Sequence, residues 1–316
     1  MKVRTATIGY GFLGKWHAQK AAALSELCEL KGIVERFPAA MSAAQAAHPQ
    51  IPVVANWHEL EIDAAVVVTP TSLHFSVAKE LLLAGKHVFC EKPLCSTAEQ
   101  AIELENLAFE KKLVLQVGHS ERCHQAWEKL RPQFTTFKGP VSLRIDRFAP
   151  FKGRATDVDV VQDLMIHDID LMLWLFGRDV KSVRAWGHKI RTNHWDHVTA
   201  QFTLADGMEA TLTMGRNSVH EVRAVEVFHA SGSTRVDLFA NKIQTAPAGE
   251  VTPGVFTSEE TYEKRDHLLI EQTAFYNSII HKTPAMVDAT AGRKAVEMVE
   301  AVLKSLATGE SVKCHG

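Results

Sequence analysis

Asp163 and His167 are the polar residues of this chain with the clearest chemical potential. They lie four residues apart in DVVQDLMIHDIDLMLWLFG, a segment that is otherwise almost entirely apolar. Such a segment predicts a buried helix, on which Asp163, His167 and Asp170 share one face, with Trp174 one turn further on. Histidine is a base near neutral pH, and the carboxylate could orient its imidazole. The pair therefore suits proton removal from a hydroxyl, although a structural contact fits the spacing equally well.

A lysine at the end of a predicted strand could complete that chemistry. Lys92 follows the apolar run 87–90 in the segment Glu91-Lys92-Pro93. Its ammonium group could donate a hydrogen bond to a reacting oxygen and stabilise the negative charge that develops there. A cis bond costs little before proline, so we expect a cis Lys92–Pro93 bond that turns the lysine into a cleft.

The segment GYGFLG predicts a dinucleotide-binding turn. Gly9, Gly11 and Gly14 have the G-x-G-x-x-G spacing, directly after a β-rich run and directly before a helical pattern. Gly9 permits the tight turn, Gly11 lets the backbone approach a pyrophosphate, and Gly14 lets helix and strand pack closely. The phosphates would rest on amides at the helix N-terminus, where Phe12 and Leu13 belong to the same turn.

The residue at the end of the second predicted strand bears on the choice between NAD and NADP. Glu35 lies there, and its carboxylate could accept both ribose hydroxyls of NAD and repel the 2'-phosphate of NADP. The adjacent Arg36 could stack on adenine or bind that phosphate. The sequence therefore favours NAD over NADP as the cofactor.

Two more segments are expected at the same edge of the sheet. Thr69, Pro70 and His74 follow the fourth predicted strand, and Glu91 and Lys92 follow the fifth. Ligands of open α/β sheets bind at the carboxyl ends of the strands, so these residues are candidate cofactor contacts. His74 fits equally well as a helix-start residue that packs locally.

Six short β-rich runs in the first 118 residues must position these groups. They alternate with helical segments, which predicts an α/β fold with a doubly wound parallel sheet. The predicted strands cover 3–8, 30–34, 53–55, 64–68, 87–90 and 113–117, and the predicted helices include 13–27, 72–83 and 97–111. Ser96 is the expected N-cap of the third of these helices.

After Gly118 the pattern becomes α+β. Helices are predicted over 121–130, 160–176, 265–280 and 289–306, and a strand over 141–148. Hairpin signals at Asp206-Gly207 and Ser231-Gly232 indicate a mostly antiparallel sheet, and Asp288 is the expected cap of the last helix. We therefore expect two domains, residues 1–119 and residues 120–316, of which the first binds NAD(P).

The composition excludes several classes of protein. The 316 residues are 46% hydrophobic and 23% charged with a net charge of -2, which is typical of a globular protein. The absence of basic runs argues against nucleic-acid partners, and no apolar run could span a membrane. The sequence shows no secretory signal, and its five cysteines lack CxxC spacing, so we expect a cytoplasmic protein. His194 and His197 have no accompanying cysteine pair, so no metal is expected.

Together the motifs resemble the glucose-fructose oxidoreductase/inositol dehydrogenase/MocA family over essentially the whole chain. They are GYGFLG, TPTSLH, EKPLCST, VGHSER, the Asp163-x-x-x-His167 pair and DHVTAQFTLADG. The resemblance implies a Rossmann domain followed by an α+β domain that binds substrate and whose open-faced sheet mediates assembly into a homodimer or homotetramer. It also implies catalytic roles for Lys92, Asp163 and His167. The chain departs from the family at residues 123–125, where relatives commonly have an aromatic residue and Asn-Pro.

Within the family, segment 147–177 resembles the branch that oxidises the 3-hydroxyl of UDP-N-acetylglucosamine. Substrate contacts are then expected at His119 and Arg122, and a diphosphate could be bound by Arg147, Lys152 and Arg154, because guanidinium groups bind such oxygens in bidentate fashion. These cations could instead pair with Asp157, Asp159 or a neighbouring subunit. A dehydrogenase of a free sugar or inositol-like polyol and a non-catalytic NAD-binding regulator are the alternatives.

Overall fold

A computed structural model describes residues 2–137, 139–153, 155–249 and 258–314. The chain forms two compact units: residues 1–120 with 266–296, and residues 121–265 with 297–316. The first segment of the first unit ends at residue 120, close to the boundary predicted after residue 119. The segment 266–296, which the sequence assigns to the second domain, instead belongs to the first, because its Phe275 and Tyr276 are fully buried in the core of that unit.

The first unit contains a six-stranded sheet with the order β3-β2-β1-β4-β5-β6. Its strands are β1 (Val3–Ile8), β2 (Cys28–Val34), β3 (Val53–Val54), β4 (Ala64–Val67), β5 (His87–Glu91) and β6 (Leu115–Gly118). All neighbouring pairs are parallel, which confirms the doubly wound sheet. The strand order reverses between β1 and β4, and ligands of such sheets bind at that point.

Eight α-helices belong to the part of the chain that the structure describes. They are α1 (Gly14–Ala23), α2 (Pro38–Ala47), α3 (Thr71–Leu83), α4 (Ala98–Lys111), α5 (Ala126–Phe134), α6 (Ile166–Phe176), α7 (His267–His281) and α8 (Ala289–Thr308). Helix α2 was not predicted, although an alanine-rich segment after Pro38 favours a helix. The cap of α8 is confirmed, because Asp288 accepts a hydrogen bond from the amide of Ala291 at 2.9 Å. The cap of α4 is Thr97, not Ser96, since the Thr97 hydroxyl accepts the amide of Gln100.

The second unit contains a nine-stranded sheet with the order β14-β13-β12-β11-β7-β10-β9-β8-β15. Its strands are β7 (Ser142–Phe148), β8 (Val180–His188), β9 (His197–Leu204), β10 (Glu209–Gly215), β11 (Val222–His229), β12 (Gly232–Asp237), β13 (Lys242–Pro247), β14 (Ser258–Thr261) and β15 (Val312–Lys313). Among the described strands of this sheet, only β7 and β10 pair in parallel, so the sheet is mostly antiparallel as predicted. Both predicted hairpins are present, between β9 and β10 and between β11 and β12. Among the described helices, none is long and apolar enough to cross a membrane.

Candidate active site

The glycine turn joins β1 to α1 in a conformation that requires glycine. Gly9 has a φ of 96°, and a Cβ there would lie 2.7 Å from the carbonyl oxygen of Val68. A Cβ at Gly14 would collide with the carbonyl oxygen of Gly9, so helix and turn pack as closely as the spacing predicts. A Cβ at Gly11 would meet no atom within 4 Å. A side chain at Gly9 or Gly14 would therefore collide with the protein, whereas the space beside Gly11 is open.

The carboxylate of Glu35 lies against this turn. Its Oε2 accepts a hydrogen bond from the amide of Tyr10 at 2.8 Å, and its Oε1 accepts those of Arg36 and Phe37 at 2.7 and 3.0 Å. Burial alone would raise the pKa of Glu35, but the three amide donors hold that pKa below its ordinary value. The carboxylate is thus ionised and fixed at the end of β2, with lone pairs remaining for a ligand hydroxyl.

The loop between β4 and α3 carries a buried polar atom. The hydroxyl of Thr69 is buried and has no hydrogen-bond partner among the described residues, whereas Pro70 is exposed at the start of α3. His74 is buried, with its Nε2 2.8 Å from the carbonyl oxygen of Thr69 and its Nδ1 2.7 Å from that of Pro93. Both ring nitrogens therefore engage backbone carbonyls, which supports the structural role of His74 over the predicted cofactor contact.

Lys92 lies directly after β5 and is half-buried. Its bond to Pro93 is cis, as predicted. The neighbouring Glu91 is buried and its Oε1 lies 2.8 Å from Nε2 of His17. The carboxylate of Glu91 is therefore engaged in the interior of the first unit, which leaves the backbone of Glu91 for the predicted cofactor contact.

These features of the first unit fit a bound dinucleotide. Among the described residues no side chain caps the N-terminus of α1, so the positive end of this helix is open to a phosphate. The open face of Gly11, the buried hydroxyl of Thr69 and the fixed carboxylate of Glu35 supply a phosphate approach, a hydrogen-bonding group and a ribose ligand. Arg36, Phe12 and Phe37 are exposed around the same turn. The residues present therefore suit NAD.

In the second unit, Asp163 and His167 lie at the junction of two kinds of helix. Residues Val161–Met165 form a π-helical turn that leads directly into α6. Such a turn inserts one residue and rotates the preceding residues by about 100° relative to the helix that follows. Asp163 and His167 are half-buried whereas Asp170 is buried. His167 and Asp170 both lie in α6, so the π-helical turn alters the position of Asp163, and not that of Asp170, relative to His167. Short π-helical segments frequently occur at functional sites.

Arg122 and Asp170 form a buried ion pair within the second unit. The guanidinium of Arg122 binds the carboxylate of Asp170 through two hydrogen bonds of 2.8 and 2.6 Å. The side chains are 7% and 1% exposed. The expectation that Arg122 contacts substrate is therefore corrected. His119, which belongs to the first unit, is fully buried, so the predicted substrate contact of its imidazole is not supported either.

The predicted diphosphate-binding cations are also engaged. Arg147 binds Asp168 through two hydrogen bonds of 2.6 Å, and Lys152 lies 2.5 Å from a carboxylate oxygen of Glu221. Arg154 lies outside the described residues. The two described cations of this segment thus pair with carboxylates, although these are Asp168 and Glu221 and not Asp157 or Asp159. Binding of a diphosphate by Arg147 would require that its pair with Asp168 opens.

A buried network beneath α6 was missed by the sequence reasoning. Asp168 is fully buried, and Glu121 accepts hydrogen bonds from Arg147 and is paired with Arg223. His124 contacts the same carboxylate, and burial lowers the pKa of His124 to about 4, so it is neutral at pH 7. The signal for this network was Asp168 itself, a charged residue inside an apolar helix, where a carboxylate needs a partner.

A second missed cluster orders the loop between β8 and β9, which is bonded to Asp159, just before the π-helical turn. Asp196 is fully buried and accepts hydrogen bonds from the amides of Ile190, Arg191 and Thr192 and from the guanidinium of Arg216. Burial would raise the pKa of Asp196, but these donors hold it far below its ordinary value. The amide of Trp195, the residue before Asp196, donates a hydrogen bond of 2.6 Å to the carboxylate of Asp159. These bonds fix the chain that enters the turn containing Asp163.

The fold and these motifs define a class of protein, and comparison with known families gives the same class. The profile of the Gfo/Idh/MocA oxidoreductase family, with an NAD-binding Rossmann fold, matches residues 3–119. The profile of the C-terminal domain of that family matches residues 137–235. The chain belongs to the Gfo/Idh/MocA family of NAD-dependent oxidoreductases.

Among its relatives, the chain is 38% identical over 300 residues to UDP-N-acetylglucosamine 3-dehydrogenase of Acidithiobacillus ferrooxidans, covering 93% of this chain and 94% of that protein. A solved structure of that enzyme has a TM-score of 0.88, with 97% of this chain and 98% of that chain covered at 36% identity. Inositol 2-dehydrogenase of Rhizobium meliloti is 26% identical over 258 residues, 75% of this chain and 76% of that protein. Scyllo-inositol dehydrogenase of Lactobacillus casei, at 22% identity and a TM-score of 0.83 over 99% of both chains, shares the fold.

The carboxylate of Glu35 should determine the choice between NAD and NADP. We expect Glu35→Gln to weaken NAD binding by roughly tenfold or more, the usual effect of losing a hydrogen bond to a charged group. NADP should bind as before or more tightly, because the negative charge that repels its 2'-phosphate is gone. Fluorescence titration with each cofactor measures both affinities, and Glu29→Gln, on the exposed start of the same strand, is the control. An equal loss of affinity for both cofactors would contradict the assignment.

Proposed function

We propose that this protein oxidises a secondary hydroxyl of a sugar, with NAD as the hydride acceptor. The observation that carries the proposal is the arrangement of the first unit, where the glycine turn, Glu35, the Thr69 loop and Lys92 all lie at the carboxyl ends of β1, β2, β4 and β5. That edge is where open α/β sheets bind their ligands. NAD, when bound there, accepts the hydride from the carbinol carbon.

Residues of the protein must then accept the hydroxyl proton and stabilise the negative charge that develops on the reacting oxygen. We assign His167 as the base that accepts the hydroxyl proton, since imidazole takes up a proton near neutral pH. Asp163, in the turn that precedes it, orients that imidazole. Lys92 donates a hydrogen bond to the reacting oxygen and stabilises its developing negative charge. Direct cofactor contacts are assigned to Gly9, Gly11, Glu35 and the neighbouring residues Phe12, Leu13, Gly14, Arg36, Thr69, Pro70 and Lys92.

The substrate we propose is UDP-N-acetylglucosamine, oxidised at its 3-hydroxyl. Support comes from the likeness to a UDP-N-acetylglucosamine 3-dehydrogenase, which extends over 93% of the chain, whereas the inositol dehydrogenase is less similar over a shorter stretch. One observation favours a free polyol instead. Arg147 and Lys152, expected to bind a diphosphate, are both paired with carboxylates of the second unit.

Isotopic labelling separates these substrates and fixes the reacting carbon. We expect UDP-N-acetylglucosamine to reduce NAD and a 3-deuterated sample to transfer its label to the reduced cofactor. Free N-acetylglucosamine and myo-inositol should give rates at least about a hundredfold lower, because they lack the nucleotide whose binding energy supports the reaction. UDP should inhibit in competition with the sugar nucleotide. Cofactor absorbance gives the rates, and mass spectrometry of NADH locates the deuterium.

Three outcomes would change the assignment. If myo-inositol or a free sugar is oxidised faster than the sugar nucleotide, and UDP does not inhibit, the substrate is a free polyol. If 3-deuterated and unlabelled substrates both give unlabelled NADH while turnover continues, another carbon is oxidised. NAD binding without turnover of any of these compounds would favour a binding role, such as that of a regulator.

We also propose that the protein is a cytoplasmic homodimer or homotetramer. Large apolar side chains on the sheet of the second unit support assembly, since Trp186 on β8 and Phe228 on β11 are 50% and 45% exposed. Exposed large apolar groups favour burial against another subunit.

A further inference from the structure

A chain of buried hydrogen bonds ends at the backbone of Lys92. The side-chain amide of Gln272, on α7, lies 2.9 Å from Nδ1 of His17, on α1. Nε2 of His17 lies 2.8 Å from Oε1 of Glu91, and Oε2 of Glu91 accepts the amide of Lys92 at 3.1 Å. The side chains of His17 and Gln272 are fully buried, and Glu91 is 6% exposed. Three elements of the first unit therefore meet at one peptide group.

The direction of each bond in this chain is determined. The NH₂ group of Gln272 can only donate, so Nδ1 of His17 accepts and its Nε2 carries the proton that is donated to Glu91. Burial would raise the pKa of Glu91, but the bond to His17 keeps that pKa below its ordinary value. The ionised carboxylate can therefore accept from both His17 and the amide of Lys92. A single tautomer of His17 satisfies all of these contacts.

The space around Glu91 allows the carboxylate little other freedom. A Cβ on Gly118 of the adjacent strand β6 would lie 2.8 Å from Oε1 of Glu91. On the other side of Lys92, the carbonyl oxygen of Pro93 is held by Nδ1 of His74 at 2.7 Å. The amide of Lys92 and, one residue further along the chain, the carbonyl oxygen of Pro93 are thus each bound by a buried side chain, so the backbone is held on both sides of Lys92.

We propose that His17, Glu91 and Gln272 are positioning residues, which hold the backbone of Lys92 so that its ammonium group meets the reacting oxygen. This inference rests on the proposed role of Lys92. The physical reason is the steep dependence of catalysis on geometry, since a displacement of about 1 Å costs on the order of a hundredfold in rate. None of the three side chains touches the substrate; each acts through Lys92.

The test breaks the chain at the two members most remote from the lysine. His17→Phe and Gln272→Met should lower kcat by about tenfold to a hundredfold, with the affinity for NAD and the KM for substrate changed by less than about threefold. His17→Gln, whose amide can still donate to Glu91, should recover part of the loss. Gln116→Met is the matched control, because Gln116 is equally buried and binds the backbone of Glu271 without joining the chain. That variant should lose stability while its kcat is unchanged.

A double-mutant cycle separates positioning from general stability. In a Lys92→Met background, His17→Phe should cause no further loss of kcat, because the residue that it positions is absent. A full additional loss, or a wild-type kcat for both His17→Phe and Gln272→Met, would overturn the inference. If Lys92→Met itself retains normal turnover, the proposed role of Lys92 fails instead. Should His17→Phe not fold, Gln272→Met and the Gln116→Met control still decide the question.

Discussion

Replacing Lys92 by methionine should lower turnover by about a hundredfold or more and leave NAD binding nearly unchanged. Methionine preserves the length and apolar stem of the side chain but removes the ammonium group that would stabilise the developing alkoxide. His167→Ala should have an effect of the same order, because a general base typically contributes 10²- to 10⁴-fold. Initial rates and fluorescence titration with NAD give the two quantities.

The control for this experiment lies at the opposite end of the same strand. Lys86 immediately precedes β5, whereas Lys92 immediately follows it. Lys86→Met should therefore leave kcat unchanged. Turnover close to normal in both Lys92→Met and His167→Ala would show that other residues carry out the proton transfer and charge stabilisation. A large loss of NAD affinity in Lys92→Met would mean that the lysine serves the cofactor and not the reaction.

The parts of the site that could be predicted are those specified by neighbouring residues in the sequence. The turn at Gly9 and Gly14 depends on residues within six positions of each other and on the β-rich run before them. The placement of Glu35 and Lys92 depends only on the ends of two strands with clear hydrophobic patterns. Parallel pairing brings such ends to one edge of the sheet, so local patterns were sufficient for the first unit.

The parts that could not be predicted depend on pairing between distant residues. Asp168 is separated from Arg147 by a loop, and their contact depends on how α6 packs against β7. The hydrophobic repeat of the segment 159–177 follows an α-helix, and it does not reveal the extra residue of the π-helical turn. Because that residue rotates Asp163 relative to α6, an α-helical repeat does not give the position of Asp163 relative to His167 and Asp170, although each residue lies in a helix as expected.

The segment 266–296 shows the same limit at the level of domains. Its helical pattern was correctly read, but a periodic pattern gives the buried face of a helix and not the sheet against which that face packs. Phe275 and Tyr276 are buried with Val3 and Phe89, which lie far earlier in the chain. Gln272, on the same helix, brings to the first unit the outermost member of the chain that ends at Lys92.

Breaking the ion pair between Arg147 and Asp168 should lower the free energy of unfolding more than breaking an exposed pair of the second unit. Arg147 is 12% exposed and Asp168 is fully buried, and two hydrogen bonds of 2.6 Å join them. Arg147→Met leaves the buried carboxylate without its bidentate partner, so we expect a loss of about 3–5 kcal/mol in the free energy of unfolding. Arg147→Lys should recover only part of this, because lysine cannot reproduce the two parallel bonds.

Denaturant unfolding of these variants measures the loss, and two comparisons define its cause. Lys152→Met breaks the exposed pair with Glu221 and should cost no more than about 1 kcal/mol. The double variant Arg147→Met with Asp168→Leu removes both charges and should regain much of the stability lost in Arg147→Met, since the penalty arises from the unpaired carboxylate. If Arg147→Met instead unfolds like the wild type but binds UDP far more weakly, then Arg147 leaves Asp168 to bind the diphosphate, and the pair seen here is only its resting arrangement.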